Sequence, residues 1–116
     1  MNFSIKMGRE NMNVPADIEV KFEFNNYRKH PAGSGIYRPH HLVKEDYFTT
    51  GLHHYYDTDT VAPGETAYGT ITFLTPEYYL HSLHIGQKIQ MSEGKRVVGY
   101  ATVMKIFNPL LERKEG

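Results

Sequence analysis

Seven histidines and no cysteine set the chemistry open to this 116-residue chain. Imidazole titrates between about pH 5 and 8, so the histidines are the chain's charge reserve in that range. Without cysteine, disulfides, thiolate nucleophiles and thiolate metal sites are excluded. His81-x-x-His84 has the spacing that sets two imidazoles on one face of a helical turn, which makes these two the metal candidate. The competing reading is a pair of surface histidines beside Tyr78 and Tyr79. His40-His41 and His53-His54 are adjacent pairs, and on a strand the members of each would face opposite ways. If their strands are neighbours, one of His40 and His41 meets one of His53 and His54. Asp57-x-Asp59, with Thr58 and Thr60, offers oxygen ligands but lacks the glycine and distal glutamate of a calcium loop, and reads as a solvated acidic loop. No Ser-His-Asp triad or paired-carboxylate site stands out. No catalytic residue is assigned, no cofactor is expected, and the chain reads as a non-enzyme.

Lysine plus arginine equals aspartate plus glutamate at 13 each, so nothing in the net charge pushes towards nucleic acid. Nine tyrosines and six phenylalanines suit strands better than a helical bundle. No apolar run approaches the roughly 20 residues that span a bilayer, and residues 1–16 lack the apolar core of a secretory signal. A cytoplasmic protein without membrane or nucleotide partners is the expectation.

The elements that must position these residues are mostly strands. Residues 1–16 read as a loosely ordered leader. Ile18, Val20, Phe22 and Phe24 alternate with Glu19, Lys21 and Glu23, the pattern of a strand with one wet face. Asn25–Gly35 is turn-rich, and Pro39 makes Ile36–Pro39 a strand edge or bend. Short strands are expected near His40–Leu42, at Asp46–Phe48 and at His53–Tyr56, and a further one over Ala67–Leu74. Thr75-Pro76-Glu77 resembles a helix start, with Gly86 stopping it within two turns. Lys88–Met91 and Arg96–Phe107 pair as a hairpin across Ser92-Glu93-Gly94-Lys95. In the second of these strands Val98, Tyr100, Thr102, Met104 and Ile106 are expected on one face. Residues 109–116 form a charged tail. These elements predict one all-β domain over residues 17–108, a small antiparallel barrel or sandwich.

Three stretches carry a family resemblance: Ile36-Tyr37-Arg38-Pro39-His40, Pro63-Gly64, and the hairpin Ser92-Glu93-Gly94-Lys95-Arg96-Val97-Val98-Gly99. In order, and with the opening strand and Val103–Phe107, they resemble the C-terminal barrel, or third domain, of translation elongation factor Tu. The match runs over about residues 17–107 and implies a six-stranded antiparallel β-barrel. No Gly-x-x-x-x-Gly-Lys-Ser/Thr loop occurs, so GTP hydrolysis is not expected.

In that family the barrel holds the T stem of aminoacyl-tRNA and contacts protein partners. The resemblance carries the RNA contacts to Lys29, His40, Thr50, Thr75 and Gly94. His40 stands where the family has glutamine, and the neutral Thr75 stands where it often has lysine. The lost charge weakens the case for tRNA, because basic residues supply most RNA affinity. The leading expectation is a non-catalytic protein-binding module, with Tyr37, Arg38, His40, Tyr78 and Tyr79 as partner contacts. A specific version is a mimic that occupies a partner or toxin of the factor, as an immunity protein would. An RNA- or tRNA-binding accessory of translation, using Lys29, Lys44, Lys95 and Arg96, is the alternative. A histidine-based metalloprotein is the third, and a homo-oligomer stays open.

Overall fold

The computed structural model describes residues 14–44 and 47–114. The leader expected over residues 1–16 therefore lies, up to Asn13, outside the described residues. Six strands close into a barrel: β1 (Ile18–Phe24), β3 (His40–Lys44), β4 (Tyr47–Tyr55), β6 (Thr66–Phe73), β7 (Lys88–Glu93) and β8 (Arg96–Ile106). Their order around the barrel is β1-β6-β4-β3-β7-β8, and every neighbouring pair is antiparallel. Two short strands, β2 (Ala32–Gly33) and β5 (Thr60–Val61), pair with each other at the end where β1 finishes and β8 starts. No helix among the described residues is long and apolar enough to cross a membrane.

The alternation in β1 works as its sequence requires. Ile18, Val20, Phe22 and Phe24 are buried and the charged residues between them face outward. Ile71, Phe73, Ile89, Met91, Ala101 and Val103 complete a dry core across the barrel. Closing a sheet on itself leaves no long edge exposed, and at six strands side chains alone fill the interior.

Several local expectations change. The segments expected at Asp46–Phe48 and His53–Tyr56 are one nine-residue strand, β4, with Asp46 outside the described residues. In β8 the outward alternation breaks at Gly99, whose φ is 156°. Val98 is buried with Ala101 and Val103 instead of lying with Tyr100 and Met104 on the outside. A Cβ at Gly99 would lie 2.2 Å from the Glu23 carbonyl oxygen, so only glycine lets β1 approach here. The helix expected after Thr75 is a single 3-10 turn, Pro76–Tyr78, and Thr75 makes no capping hydrogen bond with its side chain. The tail is docked through Arg113. Leu111 is fully buried, and Arg113 N–H and Leu83 N–H reach carbonyls across a bridge between residues 83 and 112.

Asp17 fastens the barrel's seam just before β1. It is buried, accepts the Phe73 N–H at 2.7 Å on one carboxylate oxygen, and takes the Asn108 amide at 2.9 Å on the other.

Candidate functional site

The antiparallel register sets each histidine's direction. β3 and β4 pair His41 with Thr49, and β4 and β6 pair His53 with Ile71. Adjacent residues on a strand face opposite ways, so His40 and His54 are exposed while His41 and His53 are fully buried. The strands are neighbours, and the inward pair meets with Nε2 to Nε2 at 2.8 Å. Gly51 makes the room: a Cβ there would stand 2.9 Å from the His41 ring and 2.6 Å from Ile71.

The donors and acceptors around this pair fix one proton order. The Thr49 carbonyl can only accept, so His41 Nδ1 carries the proton on that 3.3 Å contact. A neutral His41 then has a bare Nε2, which accepts from His53 Nε2–H. His53 Nδ1, left bare, accepts the Tyr55 hydroxyl at 2.9 Å. The chain runs Tyr55 O–H to His53, His53 N–H to His41, and His41 N–H to the Thr49 carbonyl, with both ring nitrogens of each histidine partnered. Burial among Phe22, Phe24, Phe73 and Tyr37 disfavours the imidazolium. It pushes His41 down to about 3, with the neighbouring His40 adding to the drop. His53 is held well below its ordinary value by burial and then by His41. Burial also raises the Tyr55 phenol, with Arg28 pulling the other way. On the far side Thr49 Oγ1 meets the Tyr79 hydroxyl, which also lies 3.3 Å from Thr75 Oγ1. These partially polar links thread the barrel from one end to the other. They are structural in character, because both imidazoles lack solvent contact.

At the end of the barrel where β7 and β8 turn, a second polar group forms. Arg28 Nε and the Tyr37 hydroxyl both donate to the same Glu93 oxygen, at 2.6 and 2.5 Å. The Arg28 guanidinium lies 4.4 Å from the centre of the Tyr37 ring, and Arg96 lies 5.3 Å from that of Tyr27. Tyr37 is raised by burial and then by the Glu93 carboxylate that holds its proton. A shallow cavity of about 290 Å³ opens here, lined by Tyr27, Arg28, Lys29, His30 and Glu93.

Of the partner contacts read from the sequence, Arg38, His40 and Tyr78 are exposed. Tyr37 is half-buried under the Arg28 loop, and it is Arg28 rather than Arg38 that pairs with an acid. Tyr79 corrects the expectation outright. It is fully buried, with its ring against Phe73 and Tyr47, and has no surface to offer. His81 and His84 do not share a helical turn, since the 3-10 turn ends at Tyr78. Their Nδ1 atoms lie at the Glu112 and Ile85 carbonyls instead, and His81 has a left-handed φ of 58°. Among the described residues no three His, Cys, Asp or Glu gather to hold a metal.

The five positions carried over for RNA are connected through paired or adjacent residues. His40 pairs with Thr50 on one side and Ser92 on the other, with Gly94 two residues further. Lys29 follows Arg28, which is tied to Glu93, and Thr75 follows Leu74, which bonds to Thr50.

The outer face of β3 and β4 holds what sequence reading missed. Leu42 lies opposite Phe48 and Gln90, and Gln90 lies opposite Tyr100, so one rung crosses four strands. Phe48 is 48% exposed and Tyr100 39%. Tyr47 touches the buried Tyr79 at the end of β4, and the exposed Tyr78 and Leu80 flank Tyr79 in the chain. The outward parity of His40, Leu42 and Lys44 was the one signal available, and only a known partner strand gives it meaning. No protein-family model and no curated protein matches the sequence.

Proposed function

We propose that this chain is a non-catalytic protein-binding module, built on a relative of the elongation factor Tu C-terminal barrel. The observation that carries the reading is the aromatic outer face of β3 and β4. Phe48 and Leu42 form its centre and His40, Lys44 and Gln90 rim it, while the exposed Tyr78 and Leu80 lie on the segment beside Tyr79, which packs on Tyr47 of β4. An apolar centre with a polar rim is the anatomy of a protein interface, and exposed aromatics are its usual anchors. A cytoplasmic mimic of the factor, occupying a partner or toxin that grips this barrel, is the specific version.

Capture from lysate on immobilised wild type and on a Phe48→Ser/Tyr78→Ser variant tests the reading. A saturable partner lost from the variant supports it. Equal recovery by both, or none by either, sinks it. The RNA-accessory reading is favoured by one observation, the strand pairings and chain neighbours that connect Lys29 and Gly94 through His40 and Thr50 to Thr75. A tRNA mobility shift at about 50 mM salt, where electrostatic binding is strongest, decides it.

A further inference from the structure

The neutral composition hides a segregation of charge. Arg28, Lys29, Arg38, Lys95 and Arg96 gather at the rim where β7 turns into β8, since His40 pairs with Ser92 and Arg28 is tied to Glu93. Arg28–Glu93 is the one ion pair shown among the described residues, and it neutralises the carboxylate in the cavity. Lys29, Arg38, Lys95 and Arg96 are exposed, and no ion pair engages them among the described residues.

We propose that this rim binds an acidic peptide segment of a protein partner, with Lys29, Arg38, Lys95 and Arg96 each meeting a carboxylate. Charge complementarity selects an anionic chain, and the local aromatics select peptide over RNA. Single-stranded RNA gains much of its affinity by stacking bases on tyrosine faces. Here Tyr37 is packed between Arg28, Phe24 and His53, and Arg96 covers one face of Tyr27, so only the second face of Tyr27 is left for a base. Guanidinium groups suit the two-oxygen geometry of a carboxylate as well as that of a phosphate, so the choice of peptide over RNA rests on the scarcity of free ring faces. The inference draws on the protein-binding reading for its context, yet it concerns a different surface from Phe48 and Tyr78. Failure at one therefore does not register as failure at the other.

The test is fluorescence anisotropy with purified protein at about 50 mM salt, using a labelled glutamate-rich dodecapeptide and a labelled uridine dodecamer. The peptide is expected to bind more tightly than the RNA. Lys29→Ala/Arg38→Ala is expected to weaken it at least about tenfold, as loss of two charge-assisted contacts requires. Lys88→Ala, whose ammonium lies over Tyr100, should leave binding unchanged. All these side chains are exposed, and a thermal melt verifies that each variant is folded. No peptide binding, tighter RNA binding, or equal loss in the Lys88 variant overturns the proposal.

Discussion

Replacing both buried histidines, His41→Phe with His53→Leu, should strip the fold of most of its sensitivity to mild acid. In the folded state both imidazoles stay neutral, His41 titrating at about 3 and His53 held well below its ordinary value. In the unfolded chain each returns to about 6.5 and takes up a proton as the pH falls. The sign follows from the depressed folded values. The stabilisation is fully present above about pH 6.5 and is lost progressively as pH falls towards the folded value. Between about pH 7 and about pH 5 each histidine costs about 2 kcal/mol, so the pair costs about 4 kcal/mol. A domain of this size has about 5–15 kcal/mol in all, so the effect is large. No carboxylate is among the causes that set either value. Urea unfolding at the two pH values measures it, and the double variant subtracts the exposed histidines, which both proteins share. The wild type should lose about 4 kcal/mol more than the variant over this interval. Equal losses in the two proteins would refute the neutral, fully partnered chain. Single replacements should cost about 1–3 kcal/mol at neutral pH, because each strands the other imidazole, whereas the double variant removes that mutual loss and leaves only the Tyr55 hydroxyl and the Thr49 carbonyl without their histidine partners.

Three other substitutions probe the packing that holds this interior. Gly51→Ala drives a methyl against Ile71 and the His41 ring, and should destabilise by about 1–3 kcal/mol in a denaturant titration. Asp17→Ala leaves the buried Phe73 N–H without its acceptor and unties Asn108, with an expected loss of about 2–3 kcal/mol by the same assay. Ser92 buries a hydroxyl with no hydrogen-bond partner, so Ser92→Ala should raise the melting temperature, equivalent to about 1 kcal/mol.

The sequence's own periodicity was enough to read β1, because a strand facing core on one side and water on the other must alternate. The hairpin around Gly94 was legible for a similar local reason: the turn takes a φ of 60°, which glycine adopts freely. What stayed hidden depended on neighbours. The inward pair His41 and His53 becomes visible only once β3 and β4 are known to be adjacent, and β3 is short and weakly patterned. Gly99 broke the alternation of β8 because the backbone of β1 lies against it, a contact 75 or more residues away in sequence. Tyr78-Tyr79-Leu80 reads as one apolar cluster, yet the 3-10 turn sends Tyr79 inward and its two neighbours outward. The rung of Leu42, Phe48, Gln90 and Tyr100 is assembled from four strands, and no window of sequence contains it.

Hydroxyl-radical footprinting of the protein in its native lysate, against the purified protein, tests the binding face most directly. Oxidation of Phe48, Leu42 and Tyr78 should fall in the lysate while Tyr56 and Tyr68, exposed on other strands, react as before. Unchanged oxidation at Phe48 and Tyr78, or a uniform fall at every exposed aromatic, would contradict a partner seated on β3 and β4.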